Sequence, residues 1–162
     1  MAPAPFGGRI LPLAERPDLL DLVARWTFGE WGHLNAGQTL AGRVARVRAG
    51  MNVDAVPSIV VALEADGRVV GTATLMDDDL EGDPRNPWLA SVYVPPEERG
   101  RGVASALVRA IEGLAARLGH RRLYLFTASA PALYAGLGWR TLESRDYRGE
   151  RITVMDRDLR AD

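Results

Sequence analysis

The residues best suited to chemistry form a glycine-rich turn between an apolar strand pattern and a helix. The strand pattern ends at Val94, and two prolines separate it from the turn. Gly100 and Gly102 carry no Cβ, so the backbone there can approach a ligand closely. Arg99 and Arg101 add positive charge, and the helix that follows offers free N–H groups at its N-terminus. The turn therefore predicts a binding site for phosphate or pyrophosphate.

Two other interpretations of this turn are open. Gly100 and Gly102 could simply shape a loop whose arginines are solvated. A dinucleotide site would need a third glycine three residues after Gly102, where the sequence has Ser105. The glycine pattern thus disfavours a nicotinamide or flavin dinucleotide.

Composition excludes several classes of enzyme. The chain has 162 residues, no Cys, two His and 20 basic residues, all of which are Arg. The absence of Cys excludes a cysteine nucleophile, a thiolate metal site and an iron–sulfur cluster, and the absence of Lys excludes a Schiff base. We expect no metal, since a multi-histidine centre is also disfavoured. The net charge of −1 gives no electrostatic footprint for nucleic acid.

Two motifs in this order resemble the GNAT superfamily of acyl-CoA N-acyltransferases. The first is Arg99-Gly100-Arg101-Gly102-Val103-Ala104, which matches the family signature [Q/R]-x-x-G-x-[G/A] after a strand. The second is Tyr134 four residues before the pair Gly138-Trp139. One amphipathic helix and one strand separate the motifs, as in the family. The resemblance extends from about Ile10 to Leu159.

The resemblance implies a site for acetyl-CoA as the acyl donor. Backbone N–H groups of the glycine turn would hold the pyrophosphate, and backbone groups of the preceding strand would hold the pantetheine arm. A hydroxyl would replace the asparagine that family members often place seven residues before the tyrosine. The implied donor-binding residues are Val92, Val94, Arg99, Gly100, Arg101, Gly102, Val103, Ala104, Ser105 and Thr127.

The resemblance also implies a general acid, and it leaves the base open. Tyr134 would protonate the departing thiolate of coenzyme A, although a tyrosine on a short helix is also a common core residue. Some family members use a glutamate 11 residues before the signature as the base, and Trp88 occupies that position here. The candidates that remain are carboxylates, a histidine, or a water held near a serine: Asp77, Asp78, Asp79, Glu30, His33 and Ser91.

The acceptor site is the least specified part of the sequence. In the family it is shaped by the first two helices, the loop before the fourth strand, and the last hairpin. These segments contain Trp26, Phe28, Glu30, Trp31, His33, Asn35, Gln38, Asp77–Asp83, Trp88 and Tyr147. Among them we expect Trp31, His33, Asp77 and Trp88 to bind the acceptor. Aromatic faces beside carboxylates suit a cationic amine.

Apolar spacing predicts the elements that position these residues. Alternating or continuous apolar runs predict strands at Ile10–Leu13, Ile59–Leu63, Val69–Leu75, Trp88–Val94, Leu123–Phe126, Trp139–Glu143 and Ile152–Met155. Spacings of three and four predict helices from Pro17, from Thr39 to about Arg48, from Gly102 to Gly119, and over Ala130–Ala135. The fold class is therefore mixed α/β (α+β), with a mostly antiparallel sheet, about four helices and a single domain over residues 1–162.

The function predicted at this stage is transfer of an acetyl group to a primary amine by direct attack. The acceptor is a small molecule or a peptide, and its identity is open. An acyl-CoA-binding sensor with little activity is the alternative, and the missing strand glutamate keeps it open. A nucleotide-binding enzyme outside the family is a third interpretation. No secretory signal or membrane segment is visible, so we expect a cytoplasmic protein. A homodimer is compatible with the family.

Overall fold

The computed structural model describes residues 5–34 and 36–160. Within them, the strands and helices follow the order that the sequence predicts. The strands are β1 (Arg9–Pro12), β2 (Ser58–Leu63), β3 (Val69–Met76), β4 (Trp88–Tyr93), β5 (Arg122–Thr127), β6 (Arg140–Tyr147) and β7 (Glu150–Asp158). The helices are α1 (Leu20–Trp31), α2 (Leu40–Ala49), α3 (Val103–Arg117) and α4 (Pro131–Gly136).

All seven strands belong to one sheet in the order β1-β2-β3-β4-β5-β7-β6. Every neighbouring pair is antiparallel except β4 and β5, which are parallel. The crossover between these two strands contains α3, as a parallel connection requires. The predicted fold class, a mixed and mostly antiparallel sheet with four helices, is confirmed.

The strand β2 shows how the sheet separates two cores. Its side chains alternate between faces, so Val60 and Ala62 belong to the larger core under α3, whereas Ile59 and Val61 face α1 and α2. The helix α3 approaches β3 closely at Gly71, where a Cβ would lie 2.9 Å from Leu107 Cδ1. A larger residue at this position would therefore push α3 off the sheet.

The helix α2 begins where the sequence predicts. The Thr39 side chain accepts a hydrogen bond from the Gly42 N–H at 3.0 Å, as an N-cap residue does. The buried face of α2 includes Val47, and also Arg43, which is only 7% exposed. A charged residue therefore occupies a position that faces the sheet.

The last hairpin is longer than the sequence predicts. The strands β6 and β7 extend to a two-residue turn at Arg148-Gly149, and both turn residues have positive φ. Most side chains of β6 are exposed or only partly buried, so apolar alternation does not mark its full length. None of the helices in the described residues is long and apolar enough to cross a bilayer.

Candidate active site

A cleft opens where β4 and β5 separate. Among the described residues, these parallel strands share one register pair, Trp88 with Tyr124, and they diverge beyond it. The resulting cavity has a volume of about 1390 Å³. Residues of β4 line one side, and residues of β5 and α4 line the other. The backbone of β4 beyond this pair is consequently unpaired on the β5 side and can accept an extended ligand.

A bulge distorts β4 at the cleft. Three residues of β3, Thr72 to Thr74, face four residues of β4, from Tyr93 back to Ala90. Ser91 lies in the bulge with a φ of 54°, a conformation that residues with a Cβ rarely adopt. Ser91 and Val92 line the cleft. Such a bulge re-aims backbone groups that regular pairing would otherwise occupy.

The glycine turn forms one end of the same cleft. Gly100 and Gly102 have φ values of 81° and 79°, and Gly102 is the N-cap of α3. The first N–H groups of α3 have no partner within the helix, so they are available to an anion. The residues of this segment that line the cleft are Arg99, Gly100, Gly102, Val103, Ala104 and Ser105.

The two arginines of the turn have different positions. Arg99 lines the cleft, and its Nε donates to the Val94 carbonyl oxygen at 2.9 Å. Arg101 does not line the cleft, because its guanidinium contacts Glu98 and Glu64 at 2.5 and 2.6 Å. The prediction that the Arg101 side chain adds charge to the donor site is therefore wrong.

Thr127 stands at the end of β5, at the edge of the cleft. Its hydroxyl oxygen accepts hydrogen bonds from the N–H groups of Ser129 and Ala130, at 3.3 and 3.0 Å. These bonds hold the turn that leads into α4. The hydroxyl therefore shapes the wall of the cleft, and its own O–H remains a donor.

Tyr134 lies on α4 and lines the cleft beside β5. Only 7% of the residue is exposed, and its ring packs edge-on against Trp139 with centroids 6.1 Å apart. Burial raises the pKa of the Tyr134 hydroxyl to about 12. The phenol is therefore protonated throughout the physiological range.

Two of the residues expected to bind the acceptor do not reach the cleft. Trp88 has no exposed surface, and its indole N–H donates to the Arg85 carbonyl oxygen at 2.5 Å. It packs in a small core with Leu80 and Val154. Asp77 is exposed to solvent and lies outside the lining of the cleft. The predictions that Trp88 and Asp77 contact the acceptor, and that Asp77 serves as the base, are corrected accordingly.

The other acceptor residues divide between the cleft and its surroundings. Asn35 lies outside the described residues. The cleft is lined by residues from three segments: the end of α1 with the turn after it, the loop before β4, and the last hairpin. These residues are Glu30, Trp31, His33, 78–83 and Tyr147. Other predicted residues do not line it: Trp26, Phe28 and Gln38. Trp26 instead packs against Tyr93, with ring centroids 5.5 Å apart.

Asp79 is the carboxylate with the most altered environment in the cleft. Burial raises its pKa to about 7, although Arg46 and Arg43 oppose the change by favouring the charged form. It lines both the main cleft and a smaller cavity beside Ser91. Sequence reasoning included Asp79 among three adjacent aspartates and could not tell which of them folds inward.

Sequence reasoning missed Arg43 and Arg46, which also line the cleft from α2. A signal was present in the sequence. Arg43 follows Leu40 by three residues and precedes Val47 by four, so it lies on the apolar face of its helix. An arginine in such a stripe indicates a buried charge, and a buried charge requires a partner.

The fold and the cleft define a member of a known enzyme family. The acetyltransferase (GNAT) family model matches residues 18–139, and the chain therefore belongs to this acetyltransferase family. Uncharacterized N-acetyltransferases of Mycobacterium bovis and Mycobacterium tuberculosis are 32% identical over 108 residues. The match covers 62% of this chain and 67% of each relative. The resemblance inferred from the two motifs is confirmed.

Solved structures agree with this assignment. A protein of Exiguobacterium sp. 255-15 described as an acetyltransferase has a TM-score of 0.66, 26% identity and coverage of 96% of both chains. An aminoglycoside 6'-N-acetyltransferase in complex with coenzyme A has a TM-score of 0.71, 15% identity and coverage of 93% of this chain and 97% of its own. A Salmonella typhimurium protein described as an acetyltransferase was solved with acetyl-CoA. Its TM-score is 0.68, with 20% identity and 94% coverage of both chains. The last two likenesses show the fold alone.

Proposed function

We propose that this enzyme transfers an acetyl group from acetyl-CoA to an amine of a small molecule or peptide by direct attack in a ternary complex. The observation that carries the proposal is the separation of β4 from β5 next to the glycine turn. This arrangement provides an unpaired strand edge and a helix N-terminus in one cleft. An acyl-CoA has a matching pair of features, an amide-bearing arm and a pyrophosphate.

The donor would lie along β4 and end at α3. Its pyrophosphate would accept hydrogen bonds from the backbone N–H groups of Gly102, Val103, Ala104 and Ser105. Its pantetheine amides would pair with the backbone of β4 near Val92. The Val94 carbonyl oxygen already accepts a hydrogen bond from Arg99, so the Val94 side of the strand edge is partly occupied.

The reaction needs a general acid that protonates the departing thiolate and a general base that accepts a proton from the amine. The amine nitrogen would bond to the thioester carbonyl carbon, and the carbon–sulfur bond would break. Coenzyme A would leave as a thiolate and take the proton of the Tyr134 hydroxyl. Backbone N–H groups at the Ser91 bulge would stabilise the negative charge on the carbonyl oxygen. The chain has no Cys, so it cannot form an acyl-thioenzyme intermediate, and direct attack is the simplest remaining course.

Asp79 is the base that the geometry favours. A general base works best when its pKa is near the working pH, and the pKa of Asp79 is raised to about 7. It lines the cleft together with Ser91. Glu30, or a water near Ser91, is the alternative base. Glu30 also lines the cleft, but its side chain is exposed.

We also propose that the chain acts as a single domain in the cytoplasm, and a homodimer stays a prediction. The sheet that runs through residues 9–158 supports a single domain.

Purified protein with acetyl-CoA and a panel of amines, monitored by release of the coenzyme A thiol, tests the proposal. We expect amine-dependent thiol release that falls strongly in Tyr134→Phe while acetyl-CoA binding persists. Acetyl-CoA binding without release for any amine would support the sensor alternative instead. A chain that binds no acetyl-CoA would contradict both functions.

A further inference from the structure

A second cavity lies beside the acceptor end of the cleft. Its volume is about 130 Å³, which is room for a few waters or one small polar group. Several residues line both this cavity and the main cleft, so the two adjoin: Arg43, Arg46, Asp79, Ala90 and Ser91. The cavity therefore reaches the part of β4 where the proposed chemistry takes place.

Two arginines of α2 give this cavity its charge. Only 7% of the surface of Arg43 is exposed, and its Nε is buried without a hydrogen-bond partner. Its Nη2 donates to Gln38 Oε1 at 3.1 Å. Among the described residues, neither Arg43 nor Arg46 has a carboxylate oxygen within 4.0 Å. A buried guanidinium without an anion is costly, so this arrangement calls for one from outside.

Asp79 compensates the two arginines only in part. Burial and the adjacent Arg46 lower the pKa of Arg43 although Asp79 opposes this change, and burial raises the pKa of Asp79 although both arginines oppose it. Each of these changes means that the charged form is insufficiently compensated in the unliganded protein. An added anion would favour the charged guanidiniums directly.

We propose that the acceptor carries a carboxylate close to its amine, and that Arg43 and Arg46 bind this carboxylate in the second cavity. The inference rests on the proposed function and names its substrate class, an amino acid. With the carboxylate held by the two guanidiniums, the amine lies beside Asp79 and Ser91. The cation–carboxylate attraction expected from the acidic loop would then act on the ammonium end of the same molecule.

Matched acceptors test the proposal directly. The panel contains the standard amino acids, each beside its carboxamide and its decarboxylated amine, so that only the carboxylate differs. We expect kcat/KM for an accepted amino acid to exceed that for its amide by about 10-fold to 100-fold, the value of a charge-assisted pair. Amides or simple amines that react as well as the acids would overturn the proposal.

Variants of α2 locate the effect. Arg43→Gln and Arg46→Gln should raise KM for the amino acid and bring the acid-to-amide ratio toward one. Arg48→Gln is the matched control, since Arg48 is an exposed arginine of the same helix outside both cavities. Arg46 is also exposed, so its variant keeps the test valid if Arg43→Gln fails to fold. A ratio unchanged in Arg46→Gln would contradict the assignment.

A binding measurement separates this inference from the proposed function. A preferred amino acid should raise the melting temperature of the coenzyme A complex in the wild type and in Arg48→Gln. It should not raise the melting temperature of this complex in Arg46→Gln. Failure to bind acetyl-CoA would overturn the proposed function itself. Acetyl-CoA binding with no stabilisation by any amino acid, or with faster reaction of plain amines, would overturn the carboxylate site alone.

Discussion

The two ends of the cleft are built from different parts of the chain. At the donor end, the groups offered to a ligand belong to the backbone of β4 and to the first turn of α3. At the acceptor end, they are charged side chains from α2 and the loop before β4, namely Arg43, Arg46 and Asp79. The donor end is continuous in sequence, whereas the acceptor end joins segments more than 30 residues apart.

Under the proposed function, this difference would allow one end to stay common to a family while the other sets specificity. Backbone groups do not depend on side-chain identity, so many sequences can hold the same donor. Charged side chains change with single substitutions, so the acceptor can change while the fold persists. Each prediction below tests one side of this comparison.

The largest effect is expected at Tyr134, where the two ends meet. Tyr134→Phe removes the proton donor and keeps the ring that packs on Trp139. We expect kcat to fall about 1000-fold, within the range for a general acid. Acetyl-CoA affinity measured by calorimetry should stay within about twofold, since phenylalanine preserves the packing. An unchanged kcat would exclude the tyrosine as the acid.

The dependence of kcat on pH should identify the general base. If Asp79 accepts the amine proton, kcat of the wild type rises with pH up to about 7, where Asp79 titrates. Asp79→Asn should lower kcat about 100-fold and abolish this limb of the profile. Asp77→Asn is the control, because Asp77 is exposed and lies outside the cleft. A limb that survives in Asp79→Asn would assign the base to Glu30 or to water.

The donor end should be sensitive to added bulk on its backbone. Gly100→Ala places a Cβ at a φ of 81°, although the site itself is open. We expect the Kd for acetyl-CoA to rise about tenfold, because relief of a strain of about 1 kcal/mol would move the turn N–H groups away from their binding positions and because the added Cβ obstructs the approach of the ligand. Gly113→Ala within α3 is the control and should leave the Kd unchanged. Calorimetric titration compares the two variants, and equal Kd values would contradict a backbone-built site.

The same contrast applies to the two arginines of the turn. Arg99→Gln removes a cation that lines the donor end of the cleft and should raise the acetyl-CoA Kd about fivefold. Arg101→Gln should change that Kd by less than about twofold, because its charge is directed to Glu64 and Glu98. A larger effect at Arg101 than at Arg99 would reverse the placement of these side chains.

The raised pKa of Asp79 should make the folded protein less stable as the pH rises. Its folded-state pKa is raised from an ordinary value of 3.8 to about 7, so the native state retains a proton that the unfolded chain loses. Stability from this group therefore falls as pH increases through that window. The free energy of unfolding of Asp79→Asn should increase relative to that of the wild type from about pH 4 to 7, and the difference should then stay constant. Urea unfolding at several pH values measures this difference, and a difference that does not change with pH would contradict the raised pKa of Asp79.

The sequence predicted most of the fold because its signals are local. The Thr39 cap, the strands Ile59–Leu63 and Val69–Leu75, and the periodicity of α3 each depend on a few neighbouring residues. The hairpin of β6 and β7 was underestimated because β6 buries little apolar surface. Its exposed polar residues give no alternation from which a strand could be read.

The site could be predicted only as far as it is local. The glycine turn and Tyr134 line one cleft as the motifs imply. The predictions for Trp88 and Asp77 were wrong because strand alternation shows which side chains share a face, but the sequence does not show which face, or which part of a loop, lines the cleft. Arg43 lies on the apolar face of α2, but its place in the site was missed because only tertiary packing brings that face to the β4 bulge.

The central claim is that the cleft between β4 and β5 holds acetyl-CoA. Calorimetric titration of the wild-type protein with acetyl-CoA, NAD and ATP in parallel tests it most directly. We expect saturable binding of acetyl-CoA at one site per chain and no comparable binding of NAD or ATP. No saturable binding of acetyl-CoA, or equally tight binding of NAD, would contradict it.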